Sequence, residues 1–221
     1  MVITKKTKVF SLVACSIILL VISYLVIYSN NSGSLSSERI HQLRLNYPAY
    51  NNESAMYHVK RPSFQEIAKV SESIISAEVI GELPEYEIDL FGQPNTPEFK
   101  INEKMKKNGL PTKRATFVQY EVKVLETLND EPVNGNIKLV YNKAFKDAEV
   151  DLKKGTKIIT VIAKGDTVHE GKHFFTKFGT YYIVDNDYVL SAVDDDFSKK
   201  MNGKTVTSLL DEIKSMELLS H

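Results

Sequence analysis

The chain has one cysteine, Cys15, and it lies inside a run of apolar residues. No intramolecular disulfide can form, so the folded part must rest on a hydrophobic core. An excess of one charge sign is also missing, because 28 Lys and Arg residues balance 28 Asp and Glu residues. That balance excludes the overall basic surplus with which nucleic-acid binders gather their ligands. Several glycine signatures are absent too. Without a G-x-S-x-G elbow, a P-loop or a G-x-G-x-x-G turn, the sequence carries none of the usual marks of α/β-hydrolases, P-loop NTPases or dinucleotide enzymes. It has no internal repeats.

What is present is a globular composition. The 221 residues are 43% hydrophobic and 25% charged, which allows one domain of ordinary size with appendages. Residues 9–28, "VFSLVACSIILLVISYLVIY", contain no charge, and as a helix they would span about 30 Å, the hydrocarbon thickness of a bilayer. Lys5, Lys6 and Lys8 flank the N-terminal end, while no acid precedes Glu38. By the positive-inside rule, residues 1–8 form a cytoplasmic basic N-terminus and everything after Ser29 lies outside. The expected location is therefore the cell membrane, single-pass, with an extracytoplasmic C-terminal domain. Tyr24 and Tyr28 would approach the outer interface, where amphipathic aromatics are favoured. A cleaved leader usually has a shorter apolar core and an A-x-A site, and no such site follows Tyr28. Leu12-Val13-Ala14-Cys15 resembles a lipobox, but the apolar stretch before it is short and the residues after it are apolar rather than polar.

Residues 29–37, "SNNSGSLSS", read as a flexible tether, and the polar stretch from Glu38 to Lys60 as an irregular or weakly helical connector. Together, 29–61 would lift a domain of residues 62–221 off the membrane. Ser63 with Glu66 fits a capping box, and Phe64, Ile67, Ala68 and Ser71 share one helical face. The period then changes to two. Ile75, Ala77, Val79 and Gly81 alternate with Ser76, Glu78 and Glu82, and Val118, Tyr120, Val122 and Val124 alternate with Gln119, Glu121 and Lys123. The turn "NDEPVNG" leads to a strand around Ile137, Leu139 and Tyr141. "TKIITVIA" is apolar on both faces and should be central. Further strands are expected at Phe174–Phe178 and Tyr181–Val184, with "DND" at 185–187 as a tight turn into Tyr188–Ala192. Val206, Leu209, Leu210 and Ile213 mark a closing helix capped by Thr205 or Thr207.

The pattern predicts a mainly β, α+β domain. Its core would be a small antiparallel OB-like barrel flanked by an N-terminal and a C-terminal helix and preceded by one transmembrane helix. In the order of "SFQEIAKVSESIISAEVIGEL", "YEVKVLETLNDEP" with "NGNIKLVY", "DLKKGTKIITVIAKG" and "GTYYIVDNDYVLS", residues 62–214 resemble membrane-anchored or secreted proteins of Gram-positive bacteria with an OB-like, netrin/TIMP-type domain. That resemblance implies the barrel and no settled activity. In the metalloproteinase-inhibitor branch an N-terminal cysteine approaches the target's zinc. This chain has no cysteine beyond Cys15, so that activity does not carry over.

Two stretches hold candidate chemistry. His169-Glu170-Gly171-Lys172-His173 has the spacing of zinc proteases, where two histidines share a helix face and the glutamate polarises bound water. Gly171 costs about 1 kcal/mol inside a helix, Lys172 brings positive charge to the metal, and Gly179 stands where a metzincin has its third histidine. A polar hairpin loop is the expectation. The second stretch is the connection over 84–115, in which Lys100, Lys104, Lys106, Lys107, Lys113 and Arg114 face only Glu103 within 100–114. This basic segment could contact an envelope protein, an anionic polymer or lipid, against the plainer reading of a solvated loop.

Asp185, Asp187 and Asp194–Asp196 lack the spacing of a calcium loop and suit turns. Phe174, Phe175, Phe178, Tyr181 and Tyr182 suit packing rather than base stacking, so no nucleic-acid partner is expected. The expected function is a non-enzymatic binding module at the cell envelope with no metal or cofactor. The contrasting function is a zinc-dependent hydrolase using His169, Glu170 and His173.

Overall fold

The computed structural model describes residues 33–51, 62, 64, 66–67, 71–90, 92, 94–128 and 132–218. Strands β1 (Ser73–Asp89), β2 (Arg114–Thr127), β3 (Asn136–Asn142), β4 (Lys157–Lys164), β5 (Lys172–Phe174), β6 (Thr180–Val184) and β7 (Tyr188–Ser191) form one sheet in the order β1-β2-β3-β5-β4-β6-β7. β1 also pairs with β4, from Ser73↔Ile162 to Glu78↔Lys157. Strands β1, β2, β3, β5 and β4 thus close into a barrel-like ring, and β6 and β7 extend the sheet beyond β4. Every pairing is antiparallel except β3 with β5, where Leu139 lies beside His173. Helices α1 (Ser37–Arg44), α2 (Pro97–Lys107), α3 (Asp196–Met201) and α4 (Val206–Leu218) complete the described elements.

Two cores explain the hydrophobic pattern. Ile75, Ala77, Val79, Val118, Tyr120, Val122, Leu139, Ile158 and Ile162 fill the ring. A second cluster on the outer face of β4 joins Ile74, Ile159, Val161, Tyr181 and Val189 to Phe64, Met201, Leu209 and Ile213. The doubly apolar "KIITVIAK" therefore serves both, with Ile158 and Ile162 inward and Ile159 and Val161 outward. Each such fully buried aliphatic side chain is worth about 1.5–3 kcal/mol relative to exposure.

Turns and caps follow side-chain chemistry. Asp185 and Asn186 take positive φ, 46° and 75°, between β6 and β7, a conformation that Asx residues tolerate better than most. Thr205 Oγ1 accepts from Ser208 N at 3.1 Å, so Thr205 caps α4. The stretch Phe174–Phe178 is not one strand. β5 ends at Phe174, and a 3-10 turn occupies Lys177–Gly179 because Thr176 Oγ1 and Lys177 N turn aside to bond Glu149 at 3.0 and 2.7 Å.

The described part of the connector is more ordered than its polarity implies. Leu35 N donates to Gly203 O at 2.7 Å, Ser34 bridges Lys204, and α1, capped by Ser36, seats Leu43 in the ring's core. Arg44 donates to Ser191 O at 2.6 Å, Tyr50 N donates to Ala192 O at 2.8 Å, and Tyr50 Oη accepts from Asp151 N at 3.1 Å. Residues 34–51 are thus a strap across the barrel. The expected membrane span at 9–28 and most of the expected helix at 63–71 lie outside the described residues, although Phe64 is buried. No helix among the described residues is long and apolar enough to cross a membrane.

Candidate functional site

The HEGKH stretch is not helical along its length. Thr167–His169 is a 3-10 turn closed by His169 N to Asp166 O at 2.9 Å, Gly171 turns at φ 70°, and His173 sits in β5 opposite Lys164. Gly165 N donates to Lys172 O at 2.8 Å and shuts the loop at its base. Such a backbone leaves no shared helix face for the two histidines, and the zinc-protease geometry needs one.

Their surroundings differ as well. His169 is buried at 5% exposure, with its ring edge-to-face with Phe117 at 4.5 Å and Phe174 at 4.7 Å between centroids. Its Nδ1 lies 2.7 Å from Tyr86 Oη, so a metal at that nitrogen would have to displace a hydrogen bond. Burial lowers its pKa below the ordinary histidine value, with Asp166 opposing the shift and Lys172 adding to it. Burial likewise lowers that of His173, opposed by Glu72 and reinforced by Lys164. Glu170 is exposed. Among the described residues no group of three or more His, Cys, Asp or Glu side chains could hold a metal ion.

The basic stretch has its own architecture. β1 runs on to Asp89, and β2 starts at Arg114, so the two strands continue as a two-stranded ribbon past the point where β1 leaves β4 at Glu78. α2 fills the connection, so the segment is not an open loop. Thr96 Oγ1 accepts from Phe99 N at 3.1 Å as its cap, Pro97 opens it, and the buried Asn102 donates to both carboxylate oxygens of Asp89 at 2.9 and 2.8 Å. Lys106 pairs with Asp89 at 3.5 Å and Arg114 with Glu87 at 3.0 Å.

Asn102 fixes which side of α2 faces the ribbon. Lys100, Lys104 and Lys107, at i, i+4 and i+7, therefore share the opposite side. All three are exposed, and they form no ion pair among the described residues. Ile101 borders this stripe at 53% exposure, and Leu90 and Leu110 at the same tip are 51% and 54% exposed. Sequence reading found the lysines but passed over Thr96-Pro97-Glu98, a helix-start signal that would have set their phase.

The remaining candidates do structural work. Asp185 pairs with Arg39 at 2.6 Å, and hydrogen bonding from that guanidinium lowers its pKa. Asp194 meets Arg44 and Asn51, while Asp195 caps α3 through Ser198 N at 2.7 Å. Phe175 and Tyr182 lie in the ring's core and Tyr181 in the outer cluster, so their faces are closed to a stacking base. Phe174 packs on His169, and Phe178 lies under Lys177 Nζ at 5.2 Å. Compared with known proteins, the chain matches no family model and no curated protein.

Proposed function

We propose that this chain is a single-pass, membrane-anchored, extracytoplasmic binding module with no enzymatic activity, built on an OB-like barrel whose partner-facing surface is the ribbon tip carrying α2. The OB-like reading is supported by the ring order β1-β2-β3-β5-β4 and its single parallel pair. The observation that carries the binding role is the stripe of Lys100, Lys104 and Lys107 on the outward side of α2. Like charges at i, i+4 on a helix repel one another where, among the described residues, no ion pair holds them, and a partner of opposite charge relieves that cost. The contrasting hydrolase would need His169 and His173 to converge, and the turn at Gly171 works against it.

A photoreactive residue in place of Lys104 in the full chain, expressed in its own cells, tests the proposal. Adducts are expected there and not at Lys153, which is exposed in the β3–β4 connection. Equal yields at both positions, or none at either, would remove the tip from the account.

A further inference from the structure

Resting on that reading, we infer that the ribbon tip docks on the surface of an anionic phospholipid bilayer, giving the domain a second membrane contact besides the anchor. The lysine stripe alone would suit any polyanion. The apolar side chains decide between them, because Ile101 borders the stripe and is more than half exposed, and Leu90 and Leu110, in the two connections that join α2 to the ribbon, are more than half exposed as well. A hydrated polymer gains nothing from three large aliphatic side chains. A bilayer takes the ammonium groups at its phosphates and the aliphatic groups at its acyl boundary.

The charge is local to the tip. After the three lysines before the apolar run are set aside, the chain has 25 basic and 28 acidic residues (28 − 3 against 28), yet the outward side of α2 carries Lys100, Lys104 and Lys107 with no ion pair among the described residues, while Lys106 and Arg114 are paired with Asp89 and Glu87 of the ribbon. A negative surface therefore attracts this end and repels the remainder, which orients the domain tip-first.

Distance supports the contact. The strap pins the chain to the barrel from Ser34 onward, so six residue steps separate it from Tyr28. Fully extended, they reach about 20 Å. A domain on so short a leash has its Ser34 end within about 20 Å of the headgroups, roughly two and a half Debye lengths at physiological salt.

The full chain with Cys15→Ser, carrying an environment-sensitive fluorophore at Ile101→Cys, is reconstituted into two sets of vesicles. One is phosphatidylcholine alone and the other an equimolar mixture with phosphatidylglycerol, each with brominated acyl chains as quencher. The inference predicts a blue shift and quenching in the mixed vesicles only. Salt at about 1 M, where the Debye length is about 3 Å, should abolish both. Since each lysine near an anionic surface contributes about fivefold, Lys100→Gln, Lys104→Gln and Lys107→Gln together should lower the docking equilibrium constant on the order of a hundredfold. A label at Lys153→Cys should stay unquenched.

An Ile101→Cys label that remains in water on both vesicles overturns the lipid contact and leaves the anchored module standing. The same label remaining in water while soluble polyglycerol phosphate shifts it overturns the lipid contact in favour of a polymer. Failure of the full chain to stay in the bilayer through an alkaline wash overturns the anchored reading itself.

Discussion

Tyr86 Oη and His169 Nδ1 lie 2.7 Å apart, joining the distal part of β1 to the loop between β4 and β5. The tyrosine ring stacks on Phe117 at 5.3 Å between centroids, and Lys172 Nζ covers it at 4.6 Å. This brace is where the two-stranded ribbon leaves the ring. Burial raises the pKa of Tyr86 to about 12, so its phenol keeps its proton throughout the physiological range. Tyr86→Phe preserves the stacking and removes the bond. It should cost about 1–2 kcal/mol in urea unfolding, with faster amide exchange over residues 85–89 than in the rest of β1. Unchanged exchange there would mean that the bond does not hold the ribbon.

The loop itself should be sensitive at Gly165. A Cβ there would meet the carbonyl oxygen and Cβ of His169, and Lys172 O at 3.0 Å. Gly165→Ala is expected to cost about 1–3 kcal/mol by overpacking, whereas Gly81→Ala, with open space around the added carbon, should cost far less. Thermal unfolding of the two variants side by side checks the ordering.

Acid should weaken the domain through its histidines. His169 and His173 have folded pKa values below the ordinary 6.5, so the unfolded chain binds protons first as pH falls. Their contribution is complete above about pH 6.5 and is lost as pH drops from there through the folded values. Glu149 acts in the opposite sense, because burial raises its pKa and its contribution is lost as pH rises above the ordinary carboxylate range. The histidine effect is therefore the difference between wild type and His169→Gln/His173→Gln. Stability of the wild type should fall more steeply below about pH 6.5 than that of the double variant, and parallel profiles would contradict this.

The strap should matter more than its polarity suggests. Leu43 is 8% exposed within the ring's core, so Leu43→Ala should cost about 2–4 kcal/mol. Arg39→Ala, which removes an exposed pair with Asp185, should change stability much less. Comparable losses would mean that the strap is held by its surface charges.

Much of the barrel was legible because burial writes a period into the chain. Ile75, Ala77 and Val79 alternate, β4 is apolar on both faces, and Leu209 and Ile213 repeat at helical spacing. The distal half of β1 was not legible. Its register shifts between Val79 and Gly81 and again between Leu83 and Tyr86, breaking the alternation, while Pro84 reads as a strand terminator. The parallel pairing of β3 with β5 joins residues far apart in sequence and leaves no local mark. In the strap, Leu43 is buried and Leu35, Ile40, Tyr47 and Tyr50 pack against the same core, but their spacing in a polar segment shows neither a strand nor a long helix period. At the candidate sites, the polar look of HEGKH hid the burial of His169. The lysines of α2 were visible, but their common face depends on a helix phase set by Asn102 and Asp89.

The central claim is that the working surface is the α2 tip and not the histidine loop, and one comparison of adduct yields tests it. A photoreactive residue at Ile101 is placed in the full chain in its own cells, in the wild-type background, with Lys100→Gln/Lys104→Gln/Lys107→Gln, and with His169→Gln/His173→Gln. The account predicts that adducts are lost in the lysine variant and retained in the histidine variant. Retention in the lysine variant with loss in the histidine variant would contradict it.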